Sequence, residues 1–127
     1  MRTLDVTKQE SSEALDMIAL TKREKEALRA FVESVRRSLG ENLAGIILFG
    51  SKARGDAKRS SDIDLLVIVK KEDIKDAHTV YKAASRTDLR WGVDISPKMY
   101  SLDEYERERE IEAPFVKQVE SEGVRLV

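Results

Sequence analysis

Gly45–Val69 reads GIILFGSKARGDAKRSSDIDLLVIV, and the fold turns on this stretch. Gly45-Ile46-Ile47-Leu48-Phe49 is a short apolar run closed by Gly50-Ser51, the pattern of a buried strand. Asp62–Val69 alternates at its start and then turns wholly apolar. That predicts a second strand whose far end is buried on both faces. Residues 51–61 are polar and contain glycine, so they form a loop with room for one helical turn. Ten residues separate Ser51 from Asp62. So short a return favours an antiparallel pair, with the end of the first strand beside the start of the second.

Side chains on a strand alternate faces, so Asp62 and Asp64 point to one side and Ile63 to the other. Two neighbouring carboxylates repel unless a positive charge sits between them. Hard divalent cations such as Mg²⁺ meet that need, since they prefer carboxylate oxygens plus substrate phosphates. A third strand is expected at about 91–99, around Trp91-Gly92-Val93-Asp94-Ile95. Asp94 is flanked there by apolar residues, where an unpaired acid is costly to bury. A crossover helix between the second and third strands would make them parallel neighbours and bring Asp94 towards Asp62 and Asp64. Gly50 permits close backbone approach, and Ser51 offers a hydroxyl and an N–H. A helical turn starting there would present free amides to an anion. A phosphate holder facing a carboxylate cluster is what phosphoryl transfer requires.

Outward from this centre the chain marks its helices with caps. Thr7-Lys8-Gln9-Glu10 and Thr21-Lys22-Arg23-Glu24 both fit capping boxes, predicting helices over about 8–19 and 22–39. In the second, Leu28, Phe31, Val32, Val35 and Leu39 recur at helical spacing, and Gly40 stops the run. Asp73 caps a helix over about 74–89, and Ser101-Leu102-Asp103-Glu104 opens a charged one. Pro114 suits the first turn of a last helix, which Gly123 ends. Val124–Val127 could add a short edge strand. The expectation is one α/β domain over 1–127, a small mixed sheet of three to four strands flanked by helices, with 1–20 as a helical extension outside the motif core.

Composition narrows the function classes. The chain has 127 residues, with 23 basic against 24 acidic and a net charge of −1, so no basic excess points to nucleic acid. Cysteine is absent, which excludes disulfides and thiolate metal sites. The first residues lack a signal-peptide pattern, and no apolar run approaches the roughly 20 residues a bilayer span needs. A soluble, cytoplasmic protein is expected, with no membrane partner. Charged residues reach 37%, above the usual figure of about 25%. Asn42 is the single asparagine, and only Gln9 and Gln118 are glutamines. This composition is thermophile-like.

Gly50-Ser51-Lys52-Ala53-Arg54-Gly55-Asp56, with Asp62-Ile63-Asp64-Leu65 at its set spacing, resembles the signature of the DNA polymerase beta-like nucleotidyltransferases. The wording and short length are similar to the minimal nucleotidyltransferases (MNT) of that superfamily. The likeness covers roughly residues 22–127 and is sharpest over 49–65. It implies a palm-like nucleotidyltransferase fold. It implies that Asp62, Asp64 and Asp94 are catalytic and hold two Mg²⁺ ions, Asp94 also helping to deprotonate the attacking hydroxyl. Gly50 and Ser51 would hold the β- and γ-phosphates of an NTP, with Arg54 beside them. The implied reaction moves a nucleoside monophosphate, AMP from ATP, to a hydroxyl and releases pyrophosphate. MNT proteins are typically paired with a small helical HEPN toxin and act as antitoxins, reportedly by adding AMP to a toxin tyrosine. A binding antitoxin without turnover and a small-molecule transferase are the alternatives, and a homo-oligomer is compatible with all three.

Other residues carry plainer readings. Lys52, Arg54, Lys58 and Arg59 either steer a triphosphate or form a solvated loop, with Arg54 favoured by the motif. Asp94 alone could pair with Arg90 or Lys98. His78 is a surface or packing residue, Trp91 and Tyr81 are core candidates, and Asp103–Glu112 is a solvated face or a docking rim. Arg54-Gly55-Asp56 matches the cell-adhesion tripeptide by coincidence.

Overall fold

A computed structural model of the protein describes residues 1–4, 20–55 and 62–127. The elements are β1 (Arg2–Thr3), α1 (Lys22–Leu39), β2 (Leu43–Phe49), α2 (Gly50–Arg54), β3 (Ile63–Val69), α3 (Ile74–Trp91), β4 (Ile95–Ser101), α4 (Leu102–Glu110), α5 (Pro114–Glu122) and β5 (Val124–Arg125). Among the described residues the caps expected at Thr21, Asp73 and Ser101 are in place. Glu24 N–H donates to Thr21 Oγ1 at 3.1 Å, and Thr21 N–H donates to Glu24 Oε1 at 3.0 Å. Asp73 and Ser101 cap α3 and α4 through the amides of Lys75 and Glu104.

The sheet has five strands in the order β1-β5-β2-β3-β4. β2 and β3 are antiparallel, with Phe49 opposite Asp64, and β3 and β4 are parallel, with Asp64 beside Ser96. Strand alternation then sorts the side chains into two layers. Ile46, Leu48, Ile63, Leu65, Val67 and Val69 face α1 and α3, where Leu28, Phe31, Val32, Val35 and Val80 fill the larger core. Ile47, Phe49, Leu66 and Ile68 face the other way, under Tyr105, Val116 and Val119 of α4 and α5. Asp64 belongs to this second face by register, at the end of β3 nearest α2.

Three expectations need correction. The third strand begins at Ile95, not Trp91, because α3 runs on to Trp91 and stops at Gly92 (φ 65°), whose N–H bonds Asp88 O at 2.9 Å. Tyr81 is not core: it is 50% exposed on α3, and Trp91 is half-buried. The sheet gains a strand, because Arg2–Thr3 pairs in parallel with β5 and Leu4 N–H reaches Arg125 O at 2.7 Å. β5 therefore lies between β1 and β2 instead of at the edge. The helix expected over 8–19 lies outside the described residues.

Candidate active site

β2 delivers the chain to Gly50, where φ is 76°. A side chain is disfavoured there twice over: the backbone is left-handed, and a Cβ would collide with the Asp64 carboxylate. The close approach of Gly50 to Asp64 is the joint between the glycine motif and the acids. α2 then turns through Ser51 to Arg54 and closes at Gly55 (φ 84°), whose N–H bonds Ser51 O at 3.0 Å.

Lys52 does not face the site. Its Nζ lies 2.9 Å from Glu24 Oε2, and the side chain is 3% exposed. It ties α2 to the start of α1, so a triphosphate-steering role falls away. Arg54 does face the site. Its Nη1 lies 2.9 Å from Glu122 Oε2, and Glu122 Oε1 accepts the Gly50 N–H at 3.0 Å. Gln118 Nε2 also donates to Glu122 Oε1, at 3.0 Å. Burial pushes the Glu122 carboxyl up, but hydrogen bonds from Arg54, Gly50 and Gln118 outweigh it, and its pKa lies below the ordinary value. Asp56, Lys58 and Arg59 lie outside the described residues.

Asp62 immediately precedes β3, and Asp64 is the strand's second residue. Asp94 immediately precedes β4 and is exposed. The parallel register continues past the strand ends, since Ile63 N–H donates to Asp94 O at 2.8 Å. Asp94 and Asp62 therefore sit side by side. A proton held between the two carboxyls, then the Asp62 charge, raises the pKa of Asp94, with burial, Asp88 and Asp64 adding to it. Asp64 is also raised, by burial first and then by the Asp62 charge, against the opposing pull of Lys98 and Arg54. So Asp62 stands between the other two acids. Among the described residues no three carboxylates close on one point as a single ligand cage. The pairing of Asp94 with Arg90 or Lys98 gives way to a different arrangement. Arg90 stacks over Trp91 at 5.7 Å, and Lys98 Nζ lies over the Phe115 ring at 4.6 Å.

Two residues near the site carried no label in the sequence. Asp88 Oδ1 accepts the Ile95 N–H at 2.9 Å and so fixes the entry of β4 next to Asp94. Its signal was an acid in the last turn of a helix, where a cation is favoured. Glu122 had none, since its contact with Gly50 spans 72 positions. A cleft of about 340 Å³ farther along the sheet, lined by Ile47, Ile68, Tyr105, Arg109 and Glu120, contains none of these acids. Chemistry, not concavity, marks the site.

Residues 28–125 match the family model of the nucleotidyltransferase domain. A protein of Methanocaldococcus jannaschii that carries the provisional name protein adenylyltransferase MJ0141 is 34% identical over 102 residues, 80% of this chain and 96% of its own length. Among solved structures, one described provisionally as a minimal nucleotidyltransferase is 28% identical, with a TM-score of 0.47, covering 77% of this chain and 91% of the other. A mutant of the MntA–HpeT toxin–antitoxin complex aligns at 21% identity and a TM-score of 0.48, over 76% of this chain and 69% of the other. With its glycine motif set against paired strand acids, the chain belongs to the nucleotidyltransferase family.

Proposed function

We propose that this chain transfers AMP from ATP to a hydroxyl of a partner protein, a tyrosine of a small helical HEPN-type toxin, and thereby acts as an antitoxin. The observation that carries the proposal is the acid pair Asp62–Asp94 beside Asp64, set directly against Gly50. The provisional name of the M. jannaschii relative supports a protein acceptor.

The donor set fits divalent metal. It is all carboxylate oxygen, which suits Mg²⁺. Burial first and the Asp62 charge second make Asp64 hold its proton more tightly than an isolated acid, and the neighbouring Asp62 does the same for Asp94. A cation there relieves repulsion that folding alone leaves standing. Asp62 and Asp64 would hold both ions, and Asp94 would complete the set at the acceptor side. Bound Mg²⁺ would supply charge neutralisation for the attacking and departing oxygens.

The chain's own groups do the rest. Gly50 N–H and Ser51 hold the β- and γ-phosphates, and the Arg54 guanidinium adds charge beside them. The acceptor oxygen forms a bond to the α-phosphorus while the bond from that phosphorus to the α,β-bridging oxygen breaks. Pyrophosphate leaves with the electron pair, and the Asp94 carboxylate takes the hydroxyl proton. Asp94, like Asp62, is exposed, while Asp64 is half-buried.

A mass spectrum of the cognate helical partner, incubated with this protein, ATP and Mg²⁺, tests the reading. A gain of whole AMP units, absent with the Asp62→Ala/Asp64→Ala variant, is expected. A stable complex without mass gain would overturn catalysis in favour of neutralisation by binding.

A further inference from the structure

Two of the donors assigned to the nucleotide phosphates, Gly50 and Arg54, are engaged by an anion of the chain itself. Glu122, at the end of α5, accepts the Gly50 N–H at 3.0 Å and contacts Arg54 Nη1 at 2.9 Å. Gln118 holds the same carboxylate from the preceding helical turn at 3.0 Å. The Glu122 side chain is 13% exposed, so the contact is sheltered, while Arg54 is 41% exposed. A carboxylate with an amide on one oxygen and a guanidinium on the other reproduces the way a phosphate oxygen is held. Gly50 has one N–H, and it cannot serve Glu122 and a phosphate equally well.

We propose that Glu122 occupies the triphosphate seat of the nucleotide-free protein and sets nucleotide affinity, because an incoming triphosphate must displace its carboxylate from Gly50 and Arg54. The proposal rests on the phosphate-holding role given above to Gly50 and Arg54. Two costs oppose the nucleotide: the lost bonds to Glu122, and repulsion between that carboxylate and the triphosphate. Asp64, across Gly50, already feels the Glu122 charge. In return, an empty site keeps its donors satisfied and α2 fastened to α5, so the glycine turn stays formed without ligand.

A purely structural tie predicts something different. Glu122→Gln keeps an amide oxygen for the Gly50 N–H, removes the charge and puts an NH2 where Oε2 meets Arg54. If Glu122 merely braces α2, nucleotide affinity stays level or falls. If it competes for the seat, affinity rises.

The test is calorimetric titration of the full chain with α,β-methylene-ATP and Mg²⁺. Glu122→Gln is expected to bind about 10-fold tighter than wild type, the scale of relieving one partly screened like-charge contact. Gln118→Ala changes a solvent-exposed side chain that folding tolerates. It loosens Glu122 without removing the charge and is expected to tighten binding by a smaller factor of about 2–3, the loss of one hydrogen bond to the competing carboxylate. It carries the test if Glu122→Gln fails to fold. Wild type that binds the nucleotide, with neither variant tighter, overturns the proposal and leaves the nucleotide site standing. No binding by wild type or either variant overturns the nucleotide site and this proposal with it.

Discussion

Replacing Gly50 with alanine perturbs the structure at the joint between the glycine motif and the acids. Two separate costs arise. The first is backbone strain, since Gly50 sits at φ 76°, a conformation that costs a non-glycine residue about 1–3 kcal/mol. The second is steric, because the new Cβ runs into the Asp64 carboxylate, and overpacking of this kind costs about 1–3 kcal/mol. Asp64 can yield part of the way, so the two together should amount to about 2–4 kcal/mol. For a chain of this length, 1 kcal/mol moves Tm by about 4 °C, so Tm should fall by about 8–16 °C. A double-mutant cycle separates the costs. Asp64→Ala removes the collision and leaves the strain, so Gly50→Ala should cost about 1–2 kcal/mol less in the Asp64→Ala background than in wild type. Urea unfolding of the four proteins measures this with no metal or substrate. Gly50→Ala at wild-type stability, or strict additivity with Asp64→Ala, would refute the close approach that builds the site.

Other predictions concern charge. Lys52→Ala strands Glu24 at the start of α1 and should cost about 3 kcal/mol, the lower end of the range for breaking a buried pair, read as a lowered urea midpoint. The raised pKa values of Asp64 and Asp94 mean the folded, metal-free protein binds protons more tightly than the unfolded chain. Their contribution to stability is therefore present at low pH and is lost as pH rises from the unfolded value through the raised folded one. Asp94→Asn should accordingly raise Tm near pH 7 by about 2–4 °C, the effect of about 0.5–1 kcal/mol for a solvent-screened contact. That gain should shrink as pH falls through the raised pKa of Asp94 towards the ordinary carboxylate value; a Tm gain independent of pH would contradict the crowding of the acids. Asp88→Ala releases the Ile95 N–H and should lower kcat for AMP transfer while leaving ATP affinity near wild type, since Asp88 positions Asp94 and lies away from Gly50.

Much of this was legible in sequence because it is local. Alternation placed Asp64 on one face of β3 and Ile63 on the other, and the short return after Ser51 gave the antiparallel pair. The capping boxes located α1 and α4 to the residue. The misreadings have physical causes. Trp91 favours strands in general, yet Gly92, one residue later, is the left-handed stop that lets α3 run through it. Arg2–Thr3 is too short for any periodicity, and only the neighbouring β5 makes it a strand. Lys52 lies in a basic-looking loop, but its partner Glu24 is 28 positions away. Glu122 illustrates the same limit. A contact between the end of the last helix and the glycine turn belongs to tertiary structure, and no spacing rule reports it.

The most direct test of the central claim is a Mn²⁺ titration of the full chain with α,β-methylene-ATP present, followed by calorimetry, for wild type and for Asp62→Asn/Asp64→Asn. Saturable, nucleotide-dependent metal binding in wild type, lost in a variant that keeps its fold and a wild-type or higher Tm, is the expected result. Equal metal and nucleotide binding by both proteins would mean that the paired acids beside Gly50 are not the metal site, and the account of this protein as a metal-dependent transferase built on them would fail.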